Sequence, residues 1–337
     1  MKLALDAMGG DFAPGATVEG VALALKDFGR DLDCLYLVGD ESSVRSEMDR
    51  IALSDPKIEL VHASEVVTMH DSAVKSVRQK KDSSISRALD LVKKGEADGA
   101  ISAGNTGAMV AASTIKLRTL EGVERAGIAS PVPNDHGLCN LLDAGANVEA
   151  KPKHLLGYAI MGSVYSSFVQ GKENPRIGLL SVGEEDSKGT DLTRETFALL
   201  KEAPINFIGN VEGYDLFQGP VDVIVCDGFT GNVMLKTAEG TVRAVFSWLK
   251  QDLTASPITK LGAWIAKKGF SACKDRGNPE HVGGSPLLGV KGSCIIAHGG
   301  STPRAISNAI RAGCESVKSG VNPHIEEEIA RCSDLMA

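Results

Sequence analysis

The sequence predicts an α/β protein with a mostly parallel sheet. Short apolar runs alternate along the chain with longer segments whose apolar residues recur at helical spacing. Glycine contributes 37 of the 337 residues, above the usual ~7%, and the glycines cluster between predicted strands and helices. Hydrophobic residues make up 43% of the chain, which excludes a disordered protein.

This pattern predicts the individual elements of the fold. The strands are predicted at residues 3–5, 35–38, 58–61, 99–102, 177–182, 205–208, 221–226 and 294–298. Helices are predicted, among other places, at residues 86–94, 107–117, 153–169 and 191–200. Since no fixed repeat or low-complexity linker divides the chain, we expect one domain over residues 1–337, with a helical segment protruding around residues 250–272.

Bulk composition excludes several classes of protein. The net charge of −7 argues against a protein that coats nucleic acid. The seven cysteines include no CxxC pair, so reduced thiols are expected rather than a zinc site or a disulfide framework. An acidic residue, Asp6, comes too early for the apolar core of a signal peptide, and no apolar run reaches the ~18 residues of a membrane span. We therefore expect a cytoplasmic protein.

Glycine-rich turns recur wherever a predicted strand passes into a helix. They lie at residues 6–11, 102–107, 181–190, 227–232 and 298–303. In a parallel sheet such turns lie beyond the carboxyl ends of the strands, on one edge, where backbone N–H groups and helix N-termini favour anions. The five turns together predict a site for phosphate or another oxyanion. Taken singly, each turn is equally explained as a chain reversal, and none is a Walker A loop or a clean GxGxxG fingerprint.

A series of longer motifs runs through nearly the whole chain. They are DAMGGD at 6–11, KDSS at 81–84, SAGNTG at 102–107, LDAGAN at 142–147, GEE at 183–185, KGT at 188–190, GNVEG at 209–213, DGFTGN at 227–232 and GGSPLLGVKG at 283–292. In this order they resemble the PlsX family of bacterial phosphate acyltransferases. The resemblance implies reversible conversion of acyl-ACP and inorganic phosphate into acyl phosphate and free ACP in phospholipid synthesis. It also implies a homodimer with a Rossmann-like three-layer α/β/α sandwich, like the isocitrate and isopropylmalate dehydrogenases.

Two residues fit the chemistry that such a reaction needs. Phosphate attacking a thioester requires two anions to be positioned and a developing oxyanion to be stabilised. Lys188, in a glycine-flanked turn, would dock phosphate, and the Asn232 amide would donate to the oxyanion. From the residues alone, a solvated loop lysine and a helix N-cap explain these positions as well. The family resemblance assigns both residues a catalytic role.

Other polar residues and glycines are expected to bind phosphate or substrate, or else to serve as turn and cap residues. They are Asp6, Gly9, Gly10, Asp11, Gly104, Asn105, Thr106, Asp143, Asn147, Gly231, Gly299, Gly300 and Ser301. Cys226 is interpreted as a buried structural thiol rather than an acyl-cysteine nucleophile, and His298 as a structural histidine that could also assist the site. No convincing set of metal ligands is present, so neither a metal nor a cofactor is expected.

Two segments are candidates for contact with partners. Because ACP is acidic, a basic surface should receive it, and the cluster Lys75, Arg78, Lys80 and Lys81 is one candidate, a solvated helix face being the alternative. In residues 256–270, apolar side chains recur near helical spacing among lysines, which is typical of a helix at lipid headgroups or in a dimer interface. The proposed membrane contacts are Ile258, Leu261, Trp264 and Ile265.

Competing functions remain open at this point. Peripheral membrane contact would let the greasy acyl phosphate pass to a membrane glycerol-3-phosphate acyltransferase. A phosphotransacetylase-like enzyme acting on a short acyl-CoA shares the chemistry and the general fold. A non-catalytic, membrane-associated scaffold for lipid-synthesis enzymes is the alternative from a different class.

Overall fold

One mixed sheet of eleven strands runs through the part of the chain that the computed structural model describes, residues 1–276 and 283–336. The strands are β1 (Lys2–Asp6), β2 (Cys34–Gly39), β3 (Ile58–His62), β4 (Gly99–Ser102), β5 (Gly127–Asn134), β6 (Gly137–Leu142), β7 (Ile177–Leu180), β8 (Phe207–Val211), β9 (Val223–Val225), β10 (Ser285–Leu288) and β11 (Ser293–Ile296). Their spatial order is β3-β2-β1-β4-β11-β10-β5-β6-β9-β7-β8. Most neighbouring pairs are parallel, which confirms the predicted α/β class.

Helices connect the strands and cover the sheet. They are α1 (Gly15–Phe28), α2 (Glu41–Arg50), α3 (Ala73–Gln79), α4 (Ser84–Lys93), α5 (Thr106–Lys116), α6 (Pro152–Phe168), α7 (Asp191–Glu202), α8 (Asp215–Gln218), α9 (Gly228–Leu253), α10 (Pro257–Ile265), α11 (Lys267–Arg276), α12 (Pro303–Ser319), α13 (Val321–Arg331) and α14 (Ser333–Met336). The four helices predicted by number are confirmed as α4, α5, α6 and α7, with ends that agree within two residues.

Helices pack on both faces of the sheet because successive strand residues point to opposite sides. Leu3 and Leu5 of β1 join a buried cluster with α1 and α12. Ala4, between them, joins a different cluster with α4 and α5. In the other half of the sheet, α6, α7 and α13 cover one face, and the first turns of α9 reach the opposite face through Leu235.

The direction of the strands reverses within the sheet. Strand β10 is antiparallel to both of its neighbours, β11 and β5, and β5 is antiparallel to β6. As a result β6, β9, β7 and β8 run opposite to β1, β2, β3, β4 and β11. The prediction that all five glycine turns share one edge is therefore wrong.

The reversal divides the turns between two edges of the sheet. The first edge carries the turns at residues 6–11, 102–107 and 298–303, which follow β1, β4 and β11. The second edge carries the turns at residues 181–190 and 227–232, which follow β7 and β9. At each edge there is a switch point, where the chain leaves two neighbouring strands toward opposite sides of the sheet. One switch point lies between β1 and β4, and the other lies between β7 and β9. Such switch points open the crevices in which α/β proteins bind ligands.

Candidate functional site

Asp6 joins the ends of two strands at the first edge. Its buried carboxylate accepts a hydrogen bond from the Ser102 hydroxyl at 2.6 Å and another from the backbone N–H of Met8 at 3.1 Å. Burial raises the pKa of Asp6, and these hydrogen bonds oppose the rise. The residue therefore fixes β1 against β4 beneath the crevice.

The three turns of the first edge contact one another through their glycines. A Cβ on Gly9 would lie 2.7 Å from the backbone nitrogen of Gly104, so only glycine allows this approach. Gly10 has a φ of +107°, and a Cβ there would lie 3.0 Å from the Gly299 carbonyl oxygen. The backbone N–H of Asp11 donates to that same oxygen at 2.8 Å. The structure thus brings together three of the five predicted turns.

The remaining predicted residues of this edge have mixed surroundings. Asn105 is the N-cap of α5, accepting from the Ala108 N–H at 3.0 Å, and its amide also reaches backbone carbonyls of the loop before α3. Thr106 is exposed, whereas Ser301 is buried. Gly300 donates its N–H to Nδ1 of His298 at 3.1 Å, and His298 itself is exposed.

At the second edge, Asp143 organises the loop that follows β6. Its buried carboxylate accepts from the backbone N–H groups of Ile128, Gly145, Ala146 and Asn147 at 2.7–3.1 Å. Burial raises the pKa of Asp143 against these donors. Because both oxygens of this carboxylate already accept backbone hydrogen bonds, Asp143 holds the loop and has no free oxygen to act as a general base.

The same loop receives the start of α9 with little space to spare. A Cβ on Gly231 would overlap the carbonyl oxygen of Asp143, and one on Gly228 would lie 2.7 Å from the carbonyl oxygen of Asn147. The Asn147 amide is turned inward, donating to the Ala126 carbonyl at 2.6 Å and to the Tyr158 hydroxyl at 2.7 Å. Gly231 and Asn147 therefore position α9.

Lys188 and Asn232 follow the two strands that flank the second switch point. Asp227 is the N-cap of α9, accepting from the Thr230 N–H at 2.9 Å, so the alternative of Asn232 as a helix cap is wrong. Asn232 is exposed one turn into α9, beside Gly145, and no hydrogen bond holds its amide among the described residues. Lys188 is also exposed, and its ammonium lies 3.9 Å from Glu185. This edge thus presents a cation and a free amide donor.

The structure also decides between alternatives for the other singled-out residues. Cys226 is buried with its thiol 3.6 Å from the Asp143 carbonyl oxygen, and burial raises the pKa of that thiol well above its usual range, as for a structural cysteine. In the basic cluster, Lys80 is bound to Asp71 at 2.7 Å, which lowers the pKa of that carboxyl to about 2. Lys75, Arg78 and Lys81 remain exposed.

One contact that the sequence did not predict joins the two edges. Lys236 lies four residues after Asn232 in α9, and its ammonium is 3.4 Å from Nε2 of His298. The four-residue spacing places both α9 side chains on one helix face. This spacing was visible in the sequence, but the approach of α9 to the turn after β11 depends on the strand reversal.

Helix α10 is exposed along its apolar side. Ile258 is 84% and Trp264 73% exposed, and Leu261 and Ile265 are also exposed. The predicted segment 256–270 is divided between α10 and α11. None of the helices in the described ranges is long and apolar enough to cross a membrane. Within the same ranges, no three His, Cys, Asp or Glu side chains stand close enough together to hold a metal ion.

Comparison with known proteins shows which family this chain resembles over nearly its whole length. The sequence model described as Fatty acid synthesis protein matches residues 1–324. A phosphate acyltransferase from Akkermansia muciniphila is 55% identical over 341 residues, which cover 99% of this chain and 97% of that protein.

Solved structures with little sequence identity share the fold. A phosphotransacetylase from Streptococcus pyogenes superposes with a TM-score of 0.62 at 16% identity, covering 95% of this chain and 94% of that one. A 4-hydroxythreonine-4-phosphate dehydrogenase from Klebsiella pneumoniae gives a TM-score of 0.50 at 11% identity, covering 97% of this chain and 99% of that one.

Proposed function

Because the chain belongs to the PlsX family of fatty acid synthesis proteins, we propose that it is a phosphate acyltransferase that converts acyl-ACP and inorganic phosphate into acyl phosphate and free ACP. The observation that carries the proposal is the pair Lys188 and Asn232, exposed on either side of the second switch point. The high identity to a protein named phosphate acyltransferase supports the same activity.

The chemistry needs positioning and charge stabilisation more than it needs acid–base catalysis. An oxygen of hydrogen phosphate attacks the thioester carbonyl carbon, the C–S bond breaks, and the phosphate proton passes to the departing thiolate. Lys188 attracts and orients the phosphate, and the Asn232 amide donates to the oxyanion that forms on the carbonyl oxygen. Asp143, Asn147 and Gly231 hold the loop after β6 and the start of α9, the helix that presents Asn232.

The proposal extends to the subclass of the fold and to its domain organisation. We assign the chain to the Rossmann-like three-layer sandwiches of the isocitrate and isopropylmalate dehydrogenase type. The helices on both faces and the similarity to a dehydrogenase fold support this assignment. One domain over residues 1–337 would carry the activity, with a protruding segment around residues 250–272.

An assay of free thiol release separates the candidate functions. The protein is incubated with or without phosphate and with either acyl-ACP or a short acyl-CoA. Phosphate-dependent release from acyl-ACP alone is the result that we expect. Release from acyl-CoA alone would indicate a phosphotransacetylase-like enzyme instead, and no release from either donor would favour a scaffold.

Two further parts of the proposal concern assembly and location. The exposed apolar side chains of α9, among them Val242, Val245 and Trp248, fit a homodimer interface. The exposed apolar side chains of α10 fit peripheral contact with a membrane surface, where a glycerol-3-phosphate acyltransferase would receive the product. A cytoplasmic protein bound to the inner face of the membrane is the proposed location.

Liposome flotation tests the membrane contact. The double variant Trp264→Asp, Ile265→Asp should lose most of its flotation while keeping the oligomeric state of the wild type. A matched control, Val74→Asp with Ile115→Asp, changes two half-exposed apolar side chains on α3 and α5 and should float as the wild type does. Equal flotation of both double variants would show that α10 does not bind the membrane.

A further inference from the structure

The contact between Lys236 and His298 brings two hydrogen-bond donors together without an acceptor between them. The backbone N–H of Gly300 donates to Nδ1 of His298 at 3.1 Å. A neutral imidazole accepts at only one nitrogen, so the contacts of Gly300 and Lys236 cannot both be hydrogen bonds to the ring. We keep the shorter contact, at Nδ1, and place the ring proton on Nε2. Nε2 then faces the Lys236 ammonium, 3.4 Å away, as a second donor. An anionic oxygen bound by both groups would satisfy this arrangement.

The charged groups around the contact leave the Lys236 ammonium only partly neutralised. Glu239 lies 3.2 Å from Lys236, but it is shared with Arg243 at 3.7 Å, so one carboxylate faces two cations. Lys236 is 51% exposed, which leaves its ammonium accessible to a ligand. A Cβ on Gly300 would lie 3.5 Å from Nδ1 of His298 and 3.8 Å from a carboxylate oxygen of Asp11, so this acid borders the same glycine. Asp11 makes no ion pair with Lys236 among the described residues.

The position of the contact links it to the proposed reaction. Lys236 follows Asn232 by four residues on the same helix face, a rise of about 6 Å along the axis. His298 belongs to the turn after β11, whose Gly299 carbonyl binds the turn after β1. A ligand held between Lys236 and His298 would therefore contact the helix face that also carries Asn232, whose amide is assigned to the oxyanion.

We propose that Lys236 and His298 form a phosphate-binding site, separate from Lys188, that binds one of the phosphate groups taking part in the reaction. This inference rests on the proposed function. Two sources share the required chemistry, namely inorganic phosphate and the phosphodiester of the pantetheine arm that carries the acyl group on ACP. Inorganic hydrogen phosphate also has a P–OH group, which can donate a hydrogen bond to the Asp11 carboxylate. A phosphodiester has no such donor.

Calorimetric binding to wild type and variants tests the site without requiring turnover. The probes are inorganic phosphate, holo-ACP, and apo-ACP, which lacks the pantetheine arm. The variants are Lys236→Gln and His298→Gln. Lys318→Gln makes the same charge change at the exposed far end of α12 and serves as the matched control. Urea unfolding midpoints check that every variant is folded.

The binding results identify the source or overturn the site. Loss of a charged hydrogen bond should weaken binding by about tenfold or more in Lys236→Gln, with no change in Lys318→Gln. Weaker binding of inorganic phosphate supports a site for the acceptor. Weaker binding of holo-ACP with unchanged binding of apo-ACP supports a site for the arm. Binding of all three probes within twofold of wild type would overturn the proposal.

Kinetics keep this inference separate from the proposed function. In an active wild type, Lys236→Gln should raise KM for the ligand that calorimetry identifies and leave KM for the other substrate within twofold. Lys236→Arg, which keeps the charge, should restore most of the binding. A wild type without thiol release would contradict the proposed function, while the calorimetry would still decide whether the site binds phosphate.

Discussion

Polar residues at the two edges of the sheet differ in how far they are engaged in packing and hydrogen bonds. At the first edge three turns are joined to one another, through Asp6 and Ser102 and through the Gly299 carbonyl. At the second edge the loop after β6 holds the start of α9 just as closely, yet Lys188 and Asn232 remain exposed. The difference shows that the buried polar residues of both edges build the crevices. The residues for which we propose catalytic roles, Lys188 and Asn232, are exposed and are not part of this packing.

The largest expected change in unfolding free energy comes from a substitution that tests how closely the second edge is packed. Gly231→Ala places a methyl group against the Asp143 carbonyl oxygen and 2.9 Å from Sγ of Cys226, both in the rigid loop and strand end beneath α9. Overpacking of this kind should lower the free energy of unfolding by about 3 kcal/mol. Urea unfolding measures the change.

A glycine further along the same helix provides the control. A Cβ on Gly240 meets no atom of the described residues within 4 Å. Gly240→Ala should therefore leave stability unchanged or raise it by up to ~1 kcal/mol through helix propensity. Equal effects of the two substitutions would mean that α9 is not held tightly at Gly231.

A second comparison replaces the buried acid of each edge by its amide. Both oxygens of Asp143 accept from backbone N–H groups, so in Asp143→Asn either orientation of the new amide would turn its NH₂ toward N–H donors. Asp6 instead receives the Ser102 hydroxyl, which can rotate to accept from an amide. Asp143→Asn should cost about 2–3 kcal/mol of unfolding free energy and Asp6→Asn about 1 kcal/mol.

Chemical denaturation of the two variants under identical conditions measures this difference. A larger cost for Asp6→Asn would contradict the assignment of Asp143 as the more constrained acid.

The smallest expected effect is a dependence of stability on pH. Burial raises the pKa of Asp6 in the folded protein above its usual value near 3.8. An acid whose folded pKa is raised contributes stability below its unfolded pKa and loses that contribution as pH rises through the folded pKa. The stability advantage of wild type over Asp6→Asn should therefore shrink as pH rises from 4. An advantage that grows over this range would reverse the sign of the shift.

The sequence predicted the strands that form the parallel pairs of the sheet, apart from β6. All eight predicted strands are present, because each contains a short apolar run, and those inside the sheet are buried on both faces. The three strands that were missed, β5, β10 and β6, are the ones that reverse the sheet. Pro131 and Pro133 lie within β5 and Pro286 within β10, and proline weighs against a strand in any pattern based on local sequence.

For the candidate site, the sequence predicted the positions of the turns but not which turns meet. The glycine turns mark the ends of strands, so the sequence indicated correctly that polar residues follow β1, β4, β7, β9 and β11. Local sequence does not show which turns meet, because their meeting depends on the reversal at β10 and β5. For the same reason the approach of Lys236 to His298 could not be foreseen, since these residues are 62 positions apart.

The most direct test of the account measures turnover and stability together in Lys188→Ala and Asn232→Ala. Both side chains are exposed and lightly held, so the urea midpoints should match the wild type within error. Removal of a charge or of an oxyanion donor should lower kcat by about 100-fold or more. Near-wild-type kcat in either variant, with phosphate-dependent thiol release intact, would contradict the role proposed for that residue.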